Sequence, residues 1–272
     1  MRPLSALQQA VAAAIREPAV IVVAAAIALV QLPVLLARLL PPTIAVIASL
    51  GISLLTLLLA PFTQGGMLGL ADGALDGDAS VRTFLAAGRD NYVSMLGAYV
   101  LLTAIAIAVV IAIMLILLFG AGFGAATASI ESGAVNNSLF DAFGIVFLAL
   151  FGLLGISVVL GFVFIQFYGQ AIVLEDYGVI GGFKRSVSLV RSHVLATLGY
   201  SVIAFVIGGV ISITSSGASA LLSSERATLA GLNPESLPLL GGVALVVVVL
   251  STLSSAFGSL YSVSFYHQLG ER

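Results

Sequence analysis

Six uncharged apolar blocks alternate with short polar stretches along the chain: Pro18 to Leu36, Thr43 to Phe62, Tyr92 to Phe119, Ala142 to Tyr168, Val194 to Thr214 and Leu239 to Val263. A helix needs about 20 residues to cross ~30 Å of hydrocarbon, so each block is long enough to be a membrane span. The predicted fold is an all-α membrane protein with six transmembrane helices arranged as three hairpins, forming a single membrane domain over residues 1–272. Between the first two blocks, Pro41-Pro42 forbids continuous helix and forces a turn. The third and fourth blocks exceed a perpendicular span and predict tilted or protruding helices. Arg2 and Arg16 precede the first apolar run as they would in a secretory signal. That run continues through Leu32, Val34 and Leu36 and more spans follow, so it reads as a retained helix. The connectors Gly120 to Asp141, with Glu131, and Ser215 to Pro238 read as polar loops, the second with a short helix around Glu225.

Ahead of each odd-numbered span lies a short stretch that ends in a charged or polar break. Aligning Arg16, Arg89 and Arg191 superposes Gln8 to Pro18, Val81 to Asn91 and Phe183 to His193 without gaps. In the third copy Ile180, Phe183, Val187 and Val190 share one helical face, with Lys184, Arg185, Ser188 and Arg191 elsewhere on the wheel, the pattern of an amphipathic helix lying in the membrane interface. The even-numbered spans repeat too: Phe167-Tyr168-Gly169-Gln170 ends the fourth, Phe265-Tyr266-His267-Gln268 the sixth and Phe62-Thr63-Gln64 the second. These similarities predict three tandem units, residues 1–64, 78–170 and 180–268, each an interfacial helix followed by a hairpin.

Charge then orients the bundle. Arg2, Arg16, Arg82, Arg89, Lys184, Arg185, Arg191 and Arg272 fall on the side of the N-terminus, and only Arg38 and Arg226 on the other. By the positive-inside rule both termini and the second and fourth loops are cytoplasmic, in a cell membrane. In a chain without cysteine, single cysteines at Ser132 and Ser186 would report the two sides.

Composition narrows the function classes. With 60% hydrophobic and 8% charged residues the chain cannot cover a water-soluble globule. A net charge of −2 and the lack of any basic stripe with interleaved aromatics argue against a nucleic-acid partner. Without cysteine there is no disulfide, thiol nucleophile or iron–sulfur cluster. Nine arginines against one lysine fit a GC-rich or halophilic, archaeal-like source.

Ionisable side chains at mid-membrane would mark an ion path, and none occurs, which argues against carboxylate-based coupled transport. Asp72, Asp76 and Asp78 cluster in the predicted cytoplasmic loop Ala71 to Ser80, where oxygens could meet a divalent cation; the competing reading is a Gly-rich turn with Asp78 or Ser80 capping the next helix. Arg89, Lys184, Arg185 and Arg191 are candidates for anionic lipid headgroups, against the plainer role of topology and anchoring. His193 and His267 are too few for a metal site. No catalytic motif is present, so no cofactor, no metal and no enzymatic activity are expected. Gly65, Gly69 and Gly73, and Ser251, Ser255 and Ser259, recur every four residues and predict close helix packing; for the serines a polar substrate lining is the alternative.

At Glu175 to Gly178, Phe183, Arg185-Ser186, Leu189 and Arg191 the chain resembles the membrane domain that precedes the catalytic domain of some glycerophosphoryl diester phosphodiesterases, and related bacterial and archaeal multi-pass proteins. The resemblance implies a membrane module. The 272 residues leave no room for the phosphodiesterase barrel, so hydrolase activity is not carried over. The expected function is a non-enzymatic module binding membrane lipids or another membrane protein; a permease for an apolar or amphiphilic solute is the alternative.

Overall fold

A computed structural model describes residues 3–30, 32–33, 40–128, 137–222 and 237–270. Arg2, Arg38, Glu131, Ser132, Arg226, Arg272 and the short helix predicted around Glu225 lie outside the described residues. The described chain is helical: α1 (Pro3–Arg16), α2 (Pro18–Val30), α3 (Pro42–Asp76), α4 (Val81–Asp90), α5 (Tyr92–Ala128), α6 (Asn137–Ile165), α7 (Tyr168–Leu174), α8 (Val179–Ser192), α9 (Val194–Leu222) and α10 (Leu237–Gly270). Thr43–Asp76, Tyr92–Gly120, Gly144–Leu174 and Gly241–Gly270 are long and apolar enough to cross a bilayer. Counting the bent pairs α1–α2 (86°) and α8–α9 (106°) as spans brings the number to six.

Local chemistry sets the helix limits. Pro41 is extended (φ −52°, ψ 144°), as a residue before proline must be, and Pro42 opens α3 where a missing N–H costs nothing. Gly77 ends it at φ 85°, a left-handed turn that lets the Asp78 N–H reach the Gly73 carbonyl (2.7 Å). Ser80 then caps α4, accepting from the Thr83 N–H at 3.1 Å. The helices α1, α4 and α8 stop within one residue of aligned positions, with breaks at Glu17, Asn91 and His193. Pro18 enforces the first break; at the second, Asn91 Nδ2 turns back to the Ala87 carbonyl (3.1 Å).

Three expectations need correction. The stretch Ala71 to Ser80 is no loop, because α3 runs on to Asp76 and only Gly77–Ser80 connect it to α4. The sixth span likewise continues past Val263 to Gly270. The fourth is interrupted at Gln166–Phe167, where neither Pro nor Gly stands. That gap is bridged from α8: Ser186, fully buried, donates to the Phe164 carbonyl (2.8 Å) and accepts from the Phe167 N–H (3.1 Å). One hydroxyl therefore satisfies two backbone groups that the break would leave bare. Ser186 is for the same reason unsuited to cysteine labelling, and exposed Ser188 is the better position.

Burial is concentrated at one end. On α3 the stretch Gly65–Leu68, Leu70, Ala71 and Ala74 is buried, whereas Leu54 (60%), Leu55 (55%), Leu57 (53%) and Leu58 (46%), which point in four directions around the helix, are exposed. α10 follows the same plan, buried from Leu260 to Tyr266 and exposed at Leu245 and Val249. The packed end also holds α1, α4 and α8, with Arg16, Arg82, Arg89, Lys184, Arg185 and Arg191. Beyond it the apolar side chains of the long helices are exposed.

Candidate functional site

Aromatic and polar contacts tie the packed end together. Phe167, just after the break, meets Tyr200 (5.3 Å between ring centroids) and Phe265 (5.9 Å), and Tyr200 stacks on Phe265 at 4.7 Å. The paired motif phenylalanines thus form one cluster. At its rim Glu175 accepts two hydrogen bonds from Arg185, Nε to Oε2 at 2.8 Å and Nη2 to Oε1 at 3.0 Å, and a third from the Tyr266 hydroxyl at 2.7 Å. Burial pushes the Glu175 carboxyl up, but the hydrogen bonds from Arg185 and Tyr266 and the guanidinium charge outweigh it, so the group titrates below its ordinary value. Asp176 follows at φ 54°, a left-handed conformation that Asp tolerates, and turns the chain into α8. On the other flank Gln9 Oε1 of α1 accepts from Ser264 (2.8 Å) and Gln268 (3.1 Å) of α10.

Beside this layer lies a cavity of about 380 Å³ between α2, α3, α5, α7 and α10. From α10 come Ser254, Ser255, Ser259 and Ser262; Thr63 and Gln64 face them from α3, with Tyr99 from α5 and Gln170 from α7. No charged residue lines it. A second cavity of about 350 Å³ takes Arg16, Asp76 and His267 among its walls.

The predicted site residues divide among these places. Arg185 gives two of its five N–H donors to Glu175 and its side chain stays 32% exposed. Arg89, Lys184 and Arg191 are exposed and carry no ion pair among the described residues. Lys184 and Arg191 line a shallow groove together with Phe183, Val187, Ser188 and Ser192. The buried face of α8 is Gly182, Ser186, Leu189 and Val190, and Ile180, expected on the apolar face, is 66% exposed. Of the aspartates, Asp72 on α3 bonds His267 on α10 at 2.6 Å, and among the described residues no cluster of three acidic or metal-binding side chains forms.

Gly69 and Gly73 sit where a Cβ would collide with Ala87 and with the Asp78 carbonyl, whereas Gly65 has 3.6 Å of clearance. The tight neighbour is Gly66, outside the four-residue row, whose added Cβ would stand 2.6 Å from the Phe84 ring. Ser255 and Ser259 line the cavity; Ser251 does not. Three buried polar atoms have no hydrogen-bond partner among the described residues: Gln166 Nε2, Thr197 Oγ1 and the Tyr261 hydroxyl.

A family model described as Domain of unknown function (DUF7847) matches residues 1–269. No curated protein and no solved structure matches the chain.

Proposed function

The chain belongs to the DUF7847 family, and we propose that it is a non-enzymatic membrane module that binds anionic lipid headgroups at its basic end. One observation carries this reading: Lys184 and Arg191, exposed and without an ion-pair partner among the described residues, line one groove with the apolar Phe183 and Val187. Cations beside apolar side chains match a phosphate above the start of an acyl chain, at about 1 kcal/mol per basic residue. The same reading makes the basic end cytoplasmic, with six spans as three hairpins, each begun by an amphipathic helix in the interface. The bare apolar faces of α3 and α5 offer the alternative occupant, a partner membrane protein.

Purification in mild detergent, with mass spectrometry of bound lipids and proteins, tests this. Anionic lipid should be enriched over the host membrane and depleted in Lys184→Gln/Arg191→Gln. Equal lipid content in wild type and variant sinks the headgroup role. Labelling of Ser188→Cys from outside intact cells would overturn the orientation. A second reading, a permease for an amphiphilic solute, has the polar cavity of about 380 Å³ in its favour, since a bundle packed solid would leave no path.

A further inference from the structure

We propose that the cavity between α3, α7 and α10 is a binding site for the uncharged, polyhydroxylated headgroup of a membrane lipid, such as the sugar of a neutral glycolipid. The site is distinct from the basic groove, and shares with the preceding proposal only the premise that the module binds lipid.

The cavity's chemistry points to such a ligand. Gln170 lines it, is only 6% exposed, and its amide has no hydrogen-bond partner among the described residues. Its polar atoms are not enclosed orphans but open onto the cavity, so water can meet them in the empty site, and a ligand hydroxyl that both donates and accepts would take that water's place. Around it the wall offers both donors and acceptors. Ser259 and Ser262 spend their protons on the carbonyls of Ala256 (3.0 Å) and Ser259 (2.9 Å), as Thr63 does on Ala60 (3.1 Å), so each turns an acceptor oxygen to the space. Ser254, Ser255 and Tyr99 make no hydrogen bond among the described residues and remain free to donate. Hydroxyls, which donate and accept alike, suit this surface. Phosphate finds no cation in it and a metal ion or ammonium no carboxylate.

Position selects a lipid over a free sugar. The lining stretches, Ala60 to Leu68 on α3 and Ser254 to Ser262 on α10, each cover about 12 Å of helix and begin beside the packed end. Immediately beyond them the same helices expose Leu54, Leu57, Leu245 and Val249 to the hydrocarbon. A headgroup in the cavity would thus have its chains on apolar surface, with no seam to cross. The volume of about 380 Å³ falls within the roughly 300–1,000 Å³ of small-ligand sites.

The test uses the full chain in a detergent without sugar, since a glycoside detergent would itself occupy the site. Native mass spectrometry is run with monoglucosyl diacylglycerol, phosphatidylglycerol or methyl glucoside added. One glucolipid per chain is expected, with methyl glucoside failing to compete. Gln170→Leu should weaken glucolipid retention about tenfold, the value of one or two hydrogen bonds. Because Gln170→Leu alters a buried position, Ser255→Leu provides a second arm that blocks the cavity from its half-exposed wall. Glucolipid retention unchanged in a folded Ser255→Leu overturns the site, and competition by methyl glucoside overturns its lipid source. Phosphatidylglycerol retained through Lys184 and Arg191 but not through Gln170 supports both proposals; its loss alone fails only the basic groove.

Discussion

Replacing Ser186 by Ala removes the one side chain that bridges the break between α6 and α7. The residue is fully buried, so no water can take over its two hydrogen bonds, to the Phe164 carbonyl at 2.8 Å and from the Phe167 N–H at 3.1 Å. Each buried backbone group left unpaired costs about 1–3 kcal/mol, and the carbonyl, with a second lone pair, belongs at the low end of that range. The expected loss is therefore about 2–4 kcal/mol. For a chain of this size 1 kcal/mol moves the melting temperature by about 2–4 °C, which sets the expected drop at roughly 4–16 °C. The assay is the loss of helical circular dichroism on heating in detergent, with wild type and variant scanned at one rate because membrane proteins unfold irreversibly. Ser188→Ala, exposed on the same helix, controls for handling and should stay within about 0.5 kcal/mol. Hydrogen exchange supplies a local readout, since the Phe167 amide should exchange faster in Ser186→Ala alone. A variant melting within about 2 °C of wild type refutes the clamp.

Three further outcomes follow from the packed end. Gly66→Ala should destabilise by about 1–3 kcal/mol, because the new methyl meets the Phe84 carbonyl oxygen at 2.8 Å as well as its ring, whereas Gly65→Ala, with 3.6 Å of clearance, should be neutral or stabilising; melting temperatures in the reverse order refute the seam. Tyr261→Phe deletes a buried hydroxyl without a partner among the described residues and should leave the melting temperature unchanged or raise it, so a loss above about 1 kcal/mol contradicts the burial argument. Glu175 titrates below its ordinary value in the folded chain, so the stability it contributes is fully present above the usual carboxylate range of about pH 4 and is lost as pH falls through the lowered folded value. Melting temperature should fall on that acid limb, and Glu175→Gln should flatten the dependence while lowering stability at neutral pH; an unchanged acid limb in the variant excludes Glu175 as its source.

The elements that can be read along the chain are those whose cause is local. Pro41-Pro42 opens α3, Ser80 caps α4, and the breaks at Glu17, Asn91 and His193, which align to within one residue, end three short helices, all through residues within a turn of the effect. The break at Gln166–Phe167 has no such marker, because the group that makes it tolerable lies 19 residues away on another helix. Apolar runs also mark the part of a helix that lies in hydrocarbon and not the helix itself. Past Phe62, α3 packs against α4, and its residues become richer in glycine and alanine without ceasing to be helical. Hence Asp72 and Asp76, which look like a loop cluster, are spread along a helix, and one of them is joined to His267.

The polar cavity was half visible for a related reason. A single row of small residues at four-residue spacing makes a seam that one neighbouring helix can cover. On α10 there are two adjacent rows, Ser254–Gly258–Ser262 and Ser255–Ser259, and they form a band too wide for one cylinder to fill, so space remains in front of them. The row that counts as a packing stripe, Ser251–Ser255–Ser259, is the second of these rows extended by one turn, and its first member lies off the cavity. The second signal was the glutamine that closes each even-numbered span. Gln64 and Gln170 both reach the cavity, while Gln268 is held by Gln9 of α1. Gln170 is the telling one. The residue is 6% exposed and its amide, without a partner among the described residues, opens onto the cavity, where a ligand hydroxyl can both accept from it and donate to it.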